Sequence, residues 1–373
     1  MPEDATSTQV IYVQNSVHLA GAQKSLSRIL SSPEIQKLAP ILVTSKEGWL
    51  TTYARTFGIQ VFSPHFPKSR SLPGRLFANR LFGKNLAGKL NNYLVSEARL
   101  IVHANDHPDS ILGYRLAQSL DAKSVLTLRT PGMTKRDFFK YGCDRHDVII
   151  SVGDALFESA QEWFPAGNHM KVYNGVLPDE FYSSVPIKPG ESIEKVLVLG
   201  STSPRKGWQD LVEALLIIEK SGEIESFPQI VFLGDQYGKD PKELFSTDRL
   251  KKFKLLFLDP VENYAETIRS FPLVIHPSRS ESFGMSVLET VAAGTPILAA
   301  ATGMIPEFIK NKNFLYPPGE TDYLAKSMIR LLKQDQASIM ADFELEQIHA
   351  KIKRDFSTNK TVELLVNAYT SIP

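Results

Sequence analysis

The sequence predicts an α/β chain of two Rossmann-like domains, and three observations carry that prediction. First, 373 residues with 43% hydrophobic and 22% charged content exceed what one hydrophobic core usually organises. Second, short apolar runs of strand length alternate with stretches of helical period along most of the chain. Third, Ser183-Ser-Val-Pro-Ile-Lys-Pro-Gly-Glu-Ser192, rich in Pro, Ser and Gly, interrupts that alternation and reads as a linker. The domains are expected over 1–180 and 190–355, with a closing segment 356–373.

Taken in order, Gln9–Val13 is a buried-strand run, followed by a helix that sets Ala22, Leu26, Ile29 and Leu30 on one face. Ile41–Val43 is the next strand and Gly48–Phe57 the next helix. Between Gly48 and Ser96 there is no acidic residue, while Arg55, Lys68, Arg70, Arg75, Arg80, Lys84 and Lys89 all fall inside it. Within it, residues 68–90 mix those cations with Leu76, Phe77, Leu81 and Phe82. Such a stretch suits an anionic membrane surface or a phosphorylated lipid, and equally a helix whose apolar face packs on a sheet.

Leu100–His103, Val125–Leu128 and Asp147–Ile150 are further strands. His103, at a strand end, reads as a satisfied histidine rather than a catalyst. Beyond the linker come the strand Lys195–Leu199 and a helix with Trp208, Leu211, Val212, Leu215 and Leu216 at helical spacing. Ile230–Gly234 and Leu255–Leu258 are strands, and Tyr264–Ser270, Asp322–Leu332 and Thr358–Tyr369 are helices.

The formal net charge of +1 gives no reason to expect a nucleic acid partner. Charge is nevertheless polarised, at about +6 over residues 1–177 and about −5 over the remainder. Cys143 is the only cysteine, which excludes an intramolecular disulfide and fits a reducing compartment. The first residues are polar and acidic, and no apolar run reaches the roughly 18 residues of a membrane span. A cytoplasmic location is expected.

The most informative stretch is His276-Pro-Ser-Arg-Ser-Glu281-Ser-Phe-Gly284-Met-Ser-Val-Leu-Glu289-Thr-Val-Ala-Ala-Gly294-Thr-Pro296. Apolar runs at 273–275 and 297–300 flank it, so a short helix between them makes a βαβ crossover, ended by Gly294 and Pro296. Glu281 then lies in the loop before the helix and Glu289 about a turn and a half inside it. Phe283, Gly284, Met285 and Ser286 offer backbone N–H groups at the helix N-terminus, the physics of a diphosphate cradle. Lys206, beside Gly207 at the mouth of a strand, is placed to neutralise a phosphate leaving group.

This run, with Ala-Gly-Thr-Pro and the later Thr302-Gly-Met-Ile-Pro-Glu307, resembles the signature of the retaining GT-B glycosyltransferases of family 4. The resemblance spans essentially the whole chain and is strongest after Val196. It implies two Rossmann-like domains facing each other across a cleft, an acceptor-binding first domain and a donor-binding second one. It also implies a last helix that crosses back to the first domain. By the same resemblance, a sugar passes from a UDP- or GDP-sugar to a glycan or lipid-linked acceptor, in polysaccharide or lipopolysaccharide synthesis. Glu281 contacts the donor sugar, Glu289 the ribose and Lys206 the phosphates. The catalytic set becomes Glu281, Lys206 and Arg129, and the donor site Gly21, Arg205, Lys206, Glu281, Phe283, Gly284, Met285 and Glu289. No cofactor and no metal are implied, and no Asp-x-Asp metal motif fits the chain.

Three positions depart from the family pattern. Ala20-Gly21-Ala22-Gln23 stands where Gly-Gly-Ala-Glu is common, Ser201 where an arginine usually follows the strand glycine, and Arg129 where many members have a histidine. An arginine holds phosphate or an anionic acceptor but cannot act as a base. Arg205, next to Lys206, is a candidate to replace the charge missing at Ser201. A catalytically silent sugar-nucleotide or glycan-binding protein and a GT-B sugar-nucleotide epimerase remain as alternatives.

Overall fold

The protein, described by a computed structural model, is defined over residues 8–18, 20–66, 72–182, 192–236, 240–245, 247–261 and 263–372. For residues 72–78 and Leu244 only the backbone is described. The proposed linker 183–192 falls almost wholly outside these residues, as do Lys68 and Arg70 of the basic segment.

The chain divides into two compact units, one of Met1–Gly175 with Thr358–Pro373 and one of Val176–Ser357. The first holds β1 (Thr8–Gln14), β2 (Ile41–Thr44), β3 (Gln60–Phe62), β4 (Arg99–Ala104), β5 (Lys123–Leu128), β6 (Val148–Ser151) and β7 (His169–Lys171). They form one sheet of order β3-β2-β1-β4-β5-β6-β7, parallel at every pairing. The second unit holds β8 (Lys195–Ser201), β9 (Gln229–Asp235), β10 (Leu255–Leu258), β11 (Val274–His276), β12 (Ile297–Ala300) and β13 (Leu315–Tyr316), in the order β10-β9-β8-β11-β12-β13, again all parallel. Each sheet therefore reverses its winding once, between β1 and β4 and between β8 and β11. In doubly wound sheets the crevice beyond the strand ends at such a reversal is where ligands bind.

β1 shows why its residues make a central strand. Val10 and Tyr12 enter one apolar cluster and Ile11 and Val13 another, so period-two alternation buries both faces. The first cluster includes Val362, Leu365 and Tyr369 of the C-terminal helix Thr358–Ser371, which therefore completes the core of the first unit. The Tyr369 hydroxyl lies 3.0 Å from that of Tyr12 and 2.6 Å from His103 Nδ1, while His103 Nε2 meets Thr127 Oγ1 at 2.7 Å. Both nitrogens of His103 are thus satisfied in the interior, and burial, reinforced by the charges of Arg129 and His146, holds its pKa down at about 3.

The basic stretch forms the helix Leu72–Leu90. Leu86, Ala87 and Leu90 are buried against Leu112 and Leu116, with Phe82 packed beside them, so the apolar face in this part of the helix belongs to the core. Arg80, Lys84 and Lys89 remain exposed, with Leu81 about half exposed beside them. The side chains of Arg75, Leu76 and Phe77 lie outside the described set. No described helix is long and apolar enough to cross a membrane.

Candidate active site

At the reversal of the second sheet, two loops leave adjacent strands. β8 ends at Ser201 and the loop after it carries Arg205 and Lys206 into the helix Trp208–Ser221, while the loop after β11 carries Glu281 into the helix Met285–Ala292. They are sewn together. Arg279 N and Ser278 Oγ both donate to Arg205 O, at 2.8 and 3.2 Å, and Arg205 Nη1 donates to Ser280 O at 2.7 Å. The Arg279 guanidinium forks onto the carboxylate of Asp210, a buried residue in the first turn of the helix Trp208–Ser221. Gly207 makes the close approach possible, because it stands at φ +67° and a Cβ there would fall 1.8 Å from Pro277 O.

Lys206 Nζ lies 2.5 Å from Glu281 Oε1, His276 Nε2 lies 3.3 Å from the same oxygen, and Arg205 Nη1 is 3.8 Å from Oε2. His276, fully buried, stands off the line of a good hydrogen bond, so its contact with Glu281 is mainly one of proximity. Burial alone would raise the Glu281 pKa, but His276 and the charge of Lys206 reverse that and hold it well below the ordinary carboxylate range. Two basic side chains, Lys206 and Arg205, thus face one carboxylate, leaving the corner net positive.

Gly284 precedes the helix at φ +87°, with a hypothetical Cβ 2.7 Å from Ile305 Cγ1. The amides of Met285 and Ser286 donate to no described backbone group, as the first turn of a helix leaves them. Phe283 contributes its backbone alone to this end, since its ring is buried against Phe308 and Phe356, at centroid distances of 5.2 and 6.0 Å. Glu289 is only 7% exposed, which removes a solvated helix face as its explanation. Ser201 is buried and its hydroxyl accepts from Ser203 N at 3.3 Å. It supplies none of the charge an arginine would bring.

The remaining sequence-derived residues lie in the first unit. Gly21 opens the helix Gly21–Leu30 and is exposed, with no side-chain cap and no acid in the first turn. Arg129 directly follows β5 and is buried. Its Nε donates to Asn105 O at 2.9 Å, one terminal nitrogen to Asn174 Oδ1 at 2.6 Å and Ser25 Oγ at 3.3 Å, and the other to Asn105 Oδ1 at 2.9 Å. Every acceptor is neutral. Burial lowers its pKa to about 10, which still leaves it cationic at neutral pH. Sequence reasoning gave no role to His276, Asp210 or Arg279, although Asp210 follows Gly207 by three residues and His276 opens the central stretch.

Residues 185–345 match the family described as Glycosyl transferases group 1. This part of the chain is similar to a glycosyltransferase group 1 domain. Lys206, Glu281 and Glu289 all fall inside it. Among curated relatives, an N-acetyl-alpha-D-glucosaminyl L-malate synthase of Bacillus anthracis is 25% identical over 281 residues, 67% of this chain and 70% of that protein. A phosphatidyl-myo-inositol mannosyltransferase of Mycobacterium leprae is 30% identical over 247 residues, 63% of this chain and 64% of that one. The chain thus aligns with about two thirds of the length of these relatives. Among solved structures, a glycosyltransferase of Rickettsia africae ESF-5 superimposes with TM-score 0.77 at 18% identity, covering 98% of both chains. HepE of Anabaena, solved with UDP and glucose, gives 0.73 at 17% identity, covering 98% of this chain and 100% of its own. At such identities the likeness establishes the fold, that of the GT-B glycosyltransferases.

Proposed function

We propose that this protein is a retaining, metal-independent glycosyltransferase that moves a sugar from a nucleoside diphosphate donor to a hydroxyl of a glycan or lipid-linked acceptor. The observation that carries the reading is the net positive corner at the β8–β11 reversal, where Lys206 and Arg205 flank Glu281 within three residues of an N-terminal helix turn. Breaking a sugar–phosphate bond leaves an anionic diphosphate and an oxocarbenium-like sugar. Lys206, Arg205 and the amides of Met285 and Ser286 take up the developing negative charge. Glu281, kept ionised, accepts from hydroxyls of the donor sugar, and Glu289 accepts from the ribose. Attack on the face from which the diphosphate leaves retains the anomeric configuration, and the departing phosphate takes the acceptor's proton.

In the first unit, Arg129 supplies a fixed positive charge and ties Ser25, Asn105 and Asn174 into one polar floor at the strand ends. UDP is the first donor base to try, because the Anabaena neighbour was solved with it. The exposed Arg80, Lys84 and Lys89 suit a cytoplasmic enzyme working against an anionic membrane surface, consistent with a lipid-linked acceptor in polysaccharide or lipopolysaccharide assembly. The test is turnover: UDP- and GDP-sugars are incubated with an array of glycan and lipid-linked acceptors in EDTA, and the product linkage is read by NMR. Acceptor-dependent release of nucleoside diphosphate with a retained anomer supports the reading. Failure of every donor to turn over, or turnover with inversion, contradicts it.

A further inference from the structure

The central stretch of the second unit opens on a histidine to which the donor chemistry above gives no task. His276 is the last residue of β11, a strand held between β8 and β12, and its side chain is fully buried. Val274 and Ile275 before it are apolar, and a third aliphatic residue would fill a buried strand end without the cost of enclosing an imidazole. Neither ring nitrogen makes a hydrogen bond of good geometry with a described residue, yet Nε2 stands 3.3 Å from Glu281 Oε1. Buried polar atoms are nearly always paired, so an imidazole at hydrogen-bond distance from a carboxylate, but off its line, calls for an explanation.

The same oxygen is held by Lys206 Nζ at 2.5 Å. Oε1 therefore has two neighbours able to donate, an ammonium that is 18% exposed and an imidazole that is 0% exposed. The backbone of Glu281 is fixed around them: its N–H donates to Thr302 Oγ1 at 3.2 Å, and Gly303, at φ +57°, lies so close that a Cβ there would fall 2.3 Å from Glu281 O. Only the side chains can change partners. An anion that draws Lys206 outward strips Oε1 of its donor, and a largely buried carboxylate without one is costly. Arg205 is a poor successor, because its Nη1 is already given to Ser280 O and stands 3.8 Å from Oε2. An Nε2–H on His276 is nearer, and full burial keeps it out of reach of the anion.

We infer that His276 is a positioning residue that takes over Glu281 Oε1 when an anionic ligand draws Lys206 away, so that the carboxylate stays placed while the ammonium is handed to the ligand. Calling that ligand a donor diphosphate rests on the transferase reading, whereas the exchange of partners does not. The test is calorimetric titration of UDP into the full chain as a double-mutant cycle. His276→Phe should weaken UDP by about fivefold in the wild type, because Glu281 then releases Lys206 less readily, and by less than about twofold in Glu281→Gln, where no charge needs a new partner. His276→Gln, whose amide nitrogen can stand in for Nε2–H, should restore most of the affinity. Equal losses in both backgrounds, or no loss in the wild type, overturn the inference. If UDP does not bind the wild type, the donor reading loses its support and melting temperatures decide the exchange by themselves: His276→Phe should cost more in Lys206→Met than in the wild type, and an equal cost overturns it. Should His276→Phe not fold, imidazole ¹⁵N NMR decides. A proton on Nε2 that moves downfield on adding UDP, or in Lys206→Met, supports the exchange, and an Nε2 without a proton or an unmoved signal overturns it.

Discussion

Lys206 Nζ stands 2.5 Å from Glu281 Oε1, so the cation assigned to the diphosphate is held by the carboxylate assigned to the donor sugar. An arriving diphosphate must compete with Glu281 for that ammonium. Glu281→Gln removes the competitor and should tighten UDP up to about tenfold, roughly 1.4 kcal/mol, while sugar transfer falls by about a hundredfold or more. Calorimetric titration paired with turnover checks this, and parallel loss of both would show that Glu281 only holds the loop.

Lys206→Met leaves Glu281 largely buried with only the weaker contacts to His276 and Arg205. Breaking one side of such a pair costs about 3 kcal/mol, discounted here because Glu281 keeps those neighbours. A lowering of the unfolding free energy by about 1–3 kcal/mol, measured in urea at pH 7, is expected. Because the folded Glu281 pKa is depressed, the carboxylate's stabilisation is complete above the ordinary carboxylate range and fades only as pH falls below about 4.

Gly207→Ala should be far more damaging than an ordinary glycine replacement. A β-carbon would collide with Pro277 O while occupying a left-handed backbone, so the two loops must separate. A loss of about 2–4 kcal/mol, with abolished UDP binding, is expected from thermal unfolding with and without nucleotide. A variant of unchanged stability would show that the contact between the loops is dispensable.

Acid should weaken the first unit through its buried histidines. Burial holds His103 at about 3 and His146 at about 4, against about 6.5 in the unfolded chain. Both are neutral when folded, so their stabilisation is full above pH 6.5 and is lost as pH falls toward those values. Between pH 6.5 and 5 each accounts for up to about 2 kcal/mol. His146→Gln should flatten the measured decline in unfolding free energy over that interval, and an unchanged slope would contradict the assignment.

Most strands could be read from the sequence because central parallel strands, buried on both faces, are continuous apolar runs. The short edge strands β3, β7 and β13 could not: Gln60–Phe62 is partly exposed and Leu315–Tyr316 is only two residues long. The residues proposed for the donor corner could be grouped from the sequence because they fall in two short contiguous motifs. The Lys206–Glu281 contact could not be read there, since it depends on β8 and β11 being neighbours. The basic segment shows the limit of composition: Leu86, Ala87 and Leu90 are taken up by the core, so any membrane contact by this part of the helix is chiefly electrostatic. Lys84→Glu with Lys89→Glu should then weaken flotation on phosphatidylserine vesicles, by about 1 kcal/mol or more per charge reversed.

The most direct test of the account is calorimetric titration of UDP and GDP into the wild type in EDTA, beside Lys206→Met and Glu289→Gln. The account predicts saturable binding of one of the two without metal, weakened at least tenfold in both variants. Binding that requires a divalent cation, or that survives in both variants, would contradict it.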